Sequence, residues 1–456
     1  MPSKKQMIIV IGGNDAGLAA AGRVRRLATD AQVLVVERTA QVAYASCGLP
    51  LFIAGQVSDH AVRGMDSAGI LTHRGIKVLT EHEVTEISVP DKHISVRHLA
   101  DNSVQSFAYD KLILALGARP KAPSALQGMR NIFVLRSYAD ADRLHSFLRQ
   151  ENPHRCLIVG GGLIGLEMAE AFLRLGLQTR LVESTATLAG LPEAMTEKLL
   201  RHLREHGLEV HLNAGMNEWQ KTTDRITGFR MDSIPTVQPV DLIFFATGVE
   251  PNTALARKIN LRCGPSYSIH VNRYQQTSQS CIFAAGDCCD APHLVSRKSS
   301  WLPFAGNAAR QGKVAGENAL GGTAQFPGAL GTWLVRIFDL EIGQTGLNDR
   351  EARAAGFSPQ ITDIQQHSQS EYVAGHSLID MQIVWDSRSK RILGGTLIGG
   401  KGAGHRLNHL AIAVQARLSL KDLLHLDLGY TPAINHMMDP LHIAASVALK
   451  GKKEKR

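Results

Sequence analysis

The chain has 456 residues, enough for two or three domains, and its 44% hydrophobic and 20% charged residues exclude a disordered or fibrous protein. The formal net charge of +9 does not indicate a nucleic-acid partner, because most of it lies on Lys4, Lys5 and the segment 450–456, which we expect to be a solvated basic tail. No apolar run reaches the roughly 18 residues that a membrane span requires, so we expect no membrane partner either.

The N-terminal sequence "MPSKKQMIIVIGG" predicts a first β-strand rather than a signal peptide, because its apolar run is short and ends in glycines. We therefore expect a cytoplasmic protein. None of the 19 histidines lies in an HExxH motif or in a tight sequence cluster with carboxylates, and the cysteines show no CxxC spacing, so we predict no bound metal. The cysteines are Cys47, Cys156, Cys263, Cys281, Cys288 and Cys289.

The first predicted dinucleotide-binding unit is "MIIVIGGNDAGLAAAGRVRRL", in which a β-branched strand at 8–11 precedes a glycine-rich turn and an alanine-rich helix. Gly12 permits the tight turn, and Gly17 lets the helix pack closely on the strand. Asn14 replaces the middle glycine of the GxGxxG pattern. The next predicted strand, "QVLVVE", ends in Glu37, whose carboxylate can accept hydrogen bonds from ribose hydroxyls while the helix N-terminus faces a pyrophosphate.

The second predicted unit is "RCLIVGGGLIGLEMAEAFLRLGLQTRLVE". Gly160, Gly162 and Gly165 complete the GxGxxG pattern without a substitution, and a second strand ends at Glu183. Glu183 would repel a 2′-phosphate, which favours NADH over NADPH. Because Arg180 is close in sequence, NADPH stays open as the alternative.

Two dinucleotide sites imply two dinucleotides, and a flavin is the natural acceptor of a hydride from a nicotinamide. Two further apolar strands precede glycine turns, at Gly117 in "YDKLILALGARP" and at Gly248 in "VDLIFFATGVEPN". The stretch "CIFAAGDCCD" predicts a strand that ends at Asp287, a carboxylate suited to a ribityl hydroxyl. We therefore predict FAD and NADH as cofactors.

Cys47 lies in "AYASCGLP", where a cysteine is either a small buried hydrophobe or a thiol presented for chemistry. Taken in order along the chain, the motifs resemble those of the pyridine nucleotide–disulfide oxidoreductase family. The resemblance is to its single-cysteine branch, which includes coenzyme A disulfide reductases, NADH-dependent persulfide reductases, NADH peroxidases and NADH oxidases. It runs from "IGGNDAG" through "ASCGLP", "GGGLIGLEMAE" and "AAGDC" to "MMDPLH" and so covers nearly the whole chain.

The resemblance implies an α/β fold with two Rossmann-like dinucleotide-binding domains and a C-terminal α+β dimerisation domain, in which the NAD domain interrupts the FAD domain. The implied segments are 1–118 and 253–326 for the FAD-binding domain, 119–252 for the NAD(P)-binding domain, 327–449 for the dimerisation domain and 450–456 for the basic tail. It also implies a homodimer.

By position in the family, Cys47 is the redox cysteine beside the flavin, and we expect its thiolate to be the working species with a depressed pKa. The resemblance implies that Tyr430, the favoured candidate, and Tyr372 act near the sulfur. It also implies that Arg23 and Arg26 in "RVRRL" bind phosphates of coenzyme A; a solvated helix face is the alternative for these arginines. Further implied cofactor contacts are Gly13, Arg38, Ser46, Val84, Arg136 and Ile164.

A lone redox thiol has two oxidised forms, a mixed disulfide with a small thiol or a sulfenic acid. Peroxidase and oxidase members carry a histidine in the first glycine turn, where this chain has Asn14 and Asp15, which disfavours peroxide as the acceptor. The sequence therefore predicts a homodimeric flavoenzyme in which NADH reduces FAD, FAD reduces Cys47, and Cys47 cleaves a small-molecule disulfide or persulfide, with coenzyme A as a candidate. The alternatives are an NADH oxidase or peroxidase, and a redox sensor.

Overall fold

The computed structural model describes residues 5–64, 67–126 and 128–450. They form two compact units. The described residues of Met1–Ser184, Asn213–Pro292 and Ser299–Gly328 make up the first unit, and those of Thr185–Leu212, His293–Lys298 and Ala329–Arg456 make up the second. In the described part of the chain, no helix is long and apolar enough to cross a lipid bilayer.

The first unit contains a five-stranded parallel sheet whose central strand, Met7–Ile11, is a run of apolar residues because helices and strands cover both of its faces. In spatial order, the strands are Ile282–Ala284, Lys111–Leu114, Met7–Ile11, Gln32–Val36 and Ile76–Leu79. A three-stranded antiparallel sheet adds apolar residues to the same core. Its strands are His82–Ser88, His93–His98 and Val104–Ala108.

Two helices of the first unit, Asp15–Leu27 and Ala305–Ala319, pack unusually closely. A Cβ atom added at Gly312 would lie 2.1 Å from the carbonyl oxygen of Ala16, and one at Gly316 would lie 2.4 Å from that of Ala20. The two glycines therefore permit a backbone-to-backbone approach that no larger residue allows. This contact fixes the helix that begins at the first glycine turn.

A second parallel sheet of the first unit repeats the strand–turn–helix arrangement. It includes, in spatial order, Gln178–Val182, Arg155–Val159, Leu242–Phe245 and Ile132–Phe133. The helix Leu163–Arg174 follows its central strand, and the helix Tyr138–Glu151 begins with a capping box at Ser137. An antiparallel sheet of Met216–Lys221, Ile226–Met231 and Ile234–Pro239 completes its core.

Shorter elements connect these sheets within the first unit. The helices are Leu49–Ile53, Asp59–Arg63, Ser67–His73 and Ala254–Lys258, with single 3-10 turns at Ser46–Gly48, Ser124–Leu126 and Pro265–Tyr267. The short strands are Ala118–Pro120, Val249–Pro251, Ala291–Pro292 and Ser299–Ser300.

The second unit is an α+β structure built on a five-stranded antiparallel sheet, with a core of buried aliphatic residues between the sheet and its helices. In spatial order, the strands are Trp333–Ile337, Leu340–Gly346, Ile392–Gly399, Leu378–Asp386 and Pro359–His367. The other elements are the helices Glu193–Glu205, Asp349–Ala354, Ala403–Gln415, Leu420–Leu424 and Pro440–Lys450 and the strand Glu209–His211.

The predicted fold class is confirmed, because two Rossmann-like parallel sheets precede a C-terminal α+β unit. The predicted end of one strand is wrong. The strand Ile282–Ala284 ends before Asp287, which follows the turn that Gly286 makes at a φ of +83°. The domain boundaries stay predictions. The predicted basic tail 450–456 lies outside the described residues except for Lys450.

Candidate active site

The first glycine turn is sterically closed to any other residue at two positions. A Cβ atom at Gly12, whose φ is +110°, would lie 2.1 Å from the carbonyl oxygen of Ala115. A Cβ atom at Gly17 would lie 1.9 Å from the carbonyl oxygen of Gly12. The side chain of Asn14, the N-cap residue of the helix Asp15–Leu27, makes no capping hydrogen bond, and the uncapped N-terminus of a helix suits an anion.

The second glycine turn repeats this geometry. A Cβ atom at Gly160, whose φ is +109°, would lie 2.4 Å from the carbonyl oxygen of Ala246, and one at Gly165 would lie 2.1 Å from that of Gly160. At Gly162, the N-cap of the helix Leu163–Arg174, an added Cβ would meet no described atom within 4 Å. The middle glycine is thus not needed for packing, and the space beside it fits a pyrophosphate that approaches the backbone.

Both carboxylates that end the predicted ribose-binding segments bind their own glycine turn. Glu37 Oε2 accepts a hydrogen bond from the Gly13 amide at 2.7 Å, and Glu183 Oε2 accepts one from the Gly161 amide at 2.7 Å. Each glutamate follows its strand by one residue and lies at the carboxyl edge of a parallel sheet. The residues of the two turns therefore fit two dinucleotides, and the shared geometry supports the prediction of FAD in the first turn and NAD(P)H in the second.

Cys47 lies in the 3-10 turn Ser46–Gly48, immediately before the short helix Leu49–Ile53. Its side chain is a free thiol at an exposed position, whereas Cys156, Cys288 and Cys289 are buried. The remaining cysteines, Cys263 and Cys281, are half-buried and also free. The structure thus excludes the interpretation of Cys47 as a packed core residue.

The protein groups around the Cys47 sulfur raise its pKa, so the expectation of a depressed pKa is wrong for these groups. Desolvation is the main cause, because much of the thiol is surrounded by protein. The negative charges of Asp15 and Glu167 raise the pKa further, while Ser46 and Arg136 lower it. The sequence alone could not show this balance, since the two carboxylates come from different helices.

Asp15 and Asp287 form an acidic pair beside Arg136. Burial raises the pKa of Asp15, the charge of Asp287 raises it further, and the hydroxyl of Ser46 lowers it as a donor at 3.4 Å. Arg136 donates to Asp287 at 2.5 Å, and its Nε donates to the carbonyl oxygen of Ala118 at 3.2 Å. Three predicted cofactor residues, Ser46, Arg136 and Asp287, are therefore brought together, and Asp15 joins them.

Three residues of this neighbourhood were not predicted: Asp15, Glu167 and Tyr44. Burial and the charge of Glu170 raise the pKa of Glu167 to about 7. Burial and the charge of Glu37 raise the pKa of Tyr44 to about 12. Glu167 carried a signal in the sequence, because "GLEMAE" places a carboxylate among Leu, Met and Ala on the helix that follows the second turn.

The other predicted cofactor residues take several different environments. Val84 is buried in the apolar core at 5% exposure, so a contact from it would come from its backbone. Gly117 and Gly248 have φ values of +66° and +95°, which the predicted turns require. Arg38 is exposed directly after Glu37, and Ile164 is half-buried in the first turn of its helix.

Of the two predicted phosphate-binding arginines, one is already paired. Arg23 donates to the carboxylate of Glu317 through two nitrogens, whereas Arg26 lies exposed near the end of the helix Asp15–Leu27. The side chain of Arg23 is 36% exposed. Arg26 is therefore the more accessible of the two for a phosphate.

The two predicted tyrosines lie in neighbouring loops of the second unit. Tyr372 is 78% exposed and Tyr430 is 44% exposed. The loops are joined by a hydrogen bond from the Ser370 amide to the Pro432 carbonyl oxygen at 3.3 Å. The structure thus presents both phenols to solvent, together with the exposed apolar side chains of Ile434 and Met437.

Comparison with known proteins gives two matches to family models. One, described as pyridine nucleotide-disulphide oxidoreductase, covers residues 6–312, and the other, described as the dimerisation domain of that family, covers residues 334–441.

Individual relatives match along almost the whole chain. The NAD(P)H sulfur oxidoreductase (CoA-dependent) of Pyrococcus abyssi (strain GE5 / Orsay) is 31% identical over 449 residues, which cover 97% of this chain and 98% of that protein. The NADH oxidase of Enterococcus faecalis (strain ATCC 700802 / V583) is 29% identical over 449 residues, 97% of this chain and 99% of that protein. The solved structure of an NAD-dependent persulfide reductase from A. fulgidus superposes with a TM-score of 0.94 at 31% identity, covering 98% of this chain and 83% of that one.

Proposed function

Since the chain belongs to the pyridine nucleotide–disulfide oxidoreductase family, whose members use FAD and NAD(P)H, we propose that it reduces a small-molecule disulfide or persulfide through Cys47. The observation that carries the proposal is the exposed, free Cys47 thiol, which lies in the same unit as both glycine turns. The A. fulgidus persulfide reductase and the CoA-dependent Pyrococcus enzyme support this substrate class.

The proposed reaction begins with the Cys47 thiolate, which attacks one sulfur of the substrate disulfide. The S–S bond breaks, a mixed disulfide forms on Cys47, and the other sulfur leaves as a thiolate that takes up a proton. Asp15 is our candidate for the group that holds this proton, because Ser46 donates to it and its raised pKa brings it closer to the range of a working acid. When bound, FAD accepts a hydride from NAD(P)H and supplies the two electrons that cleave the mixed disulfide.

Coenzyme A is the proposed source of the disulfide or persulfide. The exposed guanidinium of Arg26 lies on the first helix and provides a phosphate-binding fork, as does Arg23 once Glu317 releases it. The name of the Pyrococcus abyssi relative includes dependence on coenzyme A. NADH is the proposed reductant because Glu183 follows the second strand of its turn, with NADPH as the alternative.

We also propose that the protein works as a homodimer. The matched dimerisation region, 334–441, contains a set of apolar side chains that are 42–78% exposed. A second copy of the chain would cover them and bring Tyr430 and Tyr372 to the partner's Cys47. The set consists of Tyr372, Tyr430, Ile434, Met437 and Met438.

The test compares the purified wild type with the Cys47→Ser variant under argon. NADH should bleach the flavin colour of both proteins, and coenzyme A disulfide should restore it in the wild type but not in the variant. Serine has nearly the shape of cysteine but cannot form a disulfide, so it isolates the sulfur chemistry. A variant that still reduces coenzyme A disulfide at the wild-type rate would contradict the role of Cys47.

A second candidate function is an NADH oxidase or peroxidase that works through a sulfenic acid on Cys47, which the similarity to the Enterococcus enzyme favours. The same experiment separates the two functions. If peroxide or oxygen restores the flavin colour of the wild type and coenzyme A disulfide does not, the second function replaces the first. Asp15 in place of a turn histidine argues against this outcome.

A further inference from the structure

Three potential metal ligands that the proposed function does not use meet in the second unit. His202 and His206 lie at the C-terminal end of the helix Glu193–Glu205, and Asp339 lies in the turn between the strands Trp333–Ile337 and Leu340–Gly346. One donor atom of each side chain lies within 4.8 Å of the other two. The sequence did not indicate this group, because Asp339 is distant from both histidines along the chain.

The side chains are held by their neighbours in an orientation that suits a shared ion. The Nδ1 of His206 lies 2.9 Å from the carbonyl oxygen of His202, so it acts as the donor and leaves Nε2 with its lone pair. The ring of His206 stacks on Phe338, with centroids 3.8 Å apart and planes at 16°. A ligating histidine whose other nitrogen binds a carbonyl is the arrangement that metal sites use to fix tautomer and ring direction.

The second histidine faces the carboxylate without a good hydrogen bond. His202 Nε2 is buried and lies 3.0 Å from Asp339 Oδ1, yet it makes no hydrogen bond of acceptable geometry in the part of the chain described. The backbone φ of Phe338, at +54°, is left-handed and turns the chain just before Asp339. A nitrogen of each histidine and a carboxylate oxygen of Asp339 thus lie within 4.8 Å of one another.

From this geometry we propose that His202, His206 and Asp339 bind a zinc-class divalent cation, with water as the remaining ligand. Bonds of about 2.0–2.2 Å in a tetrahedral site place ligand atoms roughly 3.3 Å apart, within the 3.0–4.8 Å range that these atoms span. The ion would join the helix to the strand pair in the way that Lys198 joins the same helix to Asp380 one turn earlier. This site goes beyond the proposed function, and neither requires the other.

The test is a calorimetric titration of the FAD-loaded full chain with Zn²⁺ after treatment with a chelator. All proteins carry Cys47→Ser, because the exposed thiol would bind zinc by itself. We expect one ion per chain and a melting temperature that rises with zinc concentration. Asp339→Asn and His206→Gln should each raise the dissociation constant at least about tenfold.

The matched control is His409→Gln, which removes another exposed helical histidine of the second unit. It should bind zinc as the parent does. If the parent shows no saturable binding, or if Asp339→Asn and His206→Gln bind as tightly as the control, the group is only an ion pair and the proposed site is overturned. Asp339 is 83% exposed, so its substitution should leave the fold intact.

Discussion

At the scale of single residues, burial first and then the charges around Cys47 set how much of its thiol is ionised. Asp15 and Glu167 both raise the pKa of the thiol, although neither is close to Cys47 in the sequence. A high thiol pKa slows nucleophilic attack at neutral pH, since the thiolate is the reactive form. In the proposed reaction, Asp15 also holds the proton that the leaving thiolate takes up, so its charge would affect both steps.

Asp15→Asn removes one of the negative charges that raise the pKa of Cys47, so this pKa should fall. With less negative charge nearby, the pKa of Cys47 falls and the thiolate fraction at a given pH rises. We expect Cys47 to be alkylated by iodoacetamide about two- to threefold faster near neutral pH, with the pH profile of the rate displaced to lower pH.

Mass spectrometry would assign the adduct to Cys47, and Asp30→Asn, at an exposed position after the same helix, is the control. Asp30→Asn should leave the alkylation profile unchanged. An unchanged or slower alkylation in Asp15→Asn would show that the carboxylate does not act on the thiol.

Gly162→Ala separates nucleotide binding from folding at the second turn. Because a Cβ atom at Gly162 meets no described atom within 4 Å, the variant should fold and retain FAD. The added methyl would occupy the space where a pyrophosphate approaches the backbone, so we expect the KM for NADH to rise by about tenfold or more.

The comparison variant is Gly165→Ala, whose Cβ would lie 2.1 Å from the Gly160 carbonyl oxygen. Gly165→Ala should lower the yield of folded protein or its FAD content, whereas its main defect should not be a weaker affinity for NADH. Equal KM values for NADH in the wild type and in Gly162→Ala would contradict the placement of the pyrophosphate beside Gly162.

At the scale of elements, one buried ion pair holds the tyrosine loops of the second unit. Arg406, on the helix Ala403–Gln415, donates from Nε to Asp439 at 3.0 Å and from a terminal nitrogen to the Ser368 carbonyl oxygen at 2.6 Å. Asp439 directly precedes the last helix, Pro440–Lys450. Both charged residues are about 5% exposed, so the pair ties the two loops to the core.

Breaking this pair from one side leaves a buried charge without its partner. We therefore expect Arg406→Met to lower the free energy of unfolding by about 3–5 kcal/mol, measured by urea denaturation. The double variant Arg406→Met/Asp439→Leu should lose less than the sum of the two single changes.

The exposed pair of Arg353 and Asp349, on one helix surface, gives the matched control. Arg353→Met should cost much less stability than Arg406→Met, because water screens that pair. Similar costs for the buried and the exposed pair would mean that the Arg406 interaction does not organise the loops.

At the scale of the whole molecule, the proposed dimer explains why apolar side chains stay exposed in a single chain. Ile434 is 68% exposed and Met437 is 69% exposed, so a charge at either position costs the monomer little. We expect Ile434→Asp to convert the protein from a dimer to a monomer in size-exclusion chromatography with light scattering, while FAD stays bound and NADH still bleaches it.

Val104→Asp is the control, because Val104 is 63% exposed on the first unit. This variant should remain a dimer. A wild type that is monomeric at micromolar concentration would contradict the proposed dimer. An Ile434→Asp variant that stays dimeric would show that the interface lies elsewhere.

The fold and part of the site could be predicted because their signals are local. Gly17 and Gly165 are required by contacts with the first glycine of their own turn. Gly12 and Gly160 are required by contacts with Ala115 and Ala246, which are distant in the chain, but all four glycines belong to short patterns that appear directly in the sequence. The residues around Cys47 left two interpretations open, and the resemblance to the family favoured the presented thiol, which the structure shows as exposed. The resemblance then supplied the family and its C-terminal domain.

The electrostatic groups could not be predicted in this way. Asp15 and Glu167 lie on different helices, and only their shared electrostatic effect on Cys47 makes them functional candidates. The protein groups raise the pKa of the Cys47 thiol mainly through burial and then through these carboxylates, and the sequence does not show which groups surround the sulfur. The expected depression of this pKa by the flavin stays a prediction.

By itself, the sequence predicted the two nucleotide turns, because each glycine pattern and the strand and helix around it are contiguous in the chain. The resemblance to the family added the redox role of Cys47, which stays a prediction. Only the tertiary structure decided which charges surround Cys47 and that Asp339 meets His202 and His206. Coulomb interactions and ligand sets depend on distance through space, and folding sets that distance between residues that are far apart in the chain.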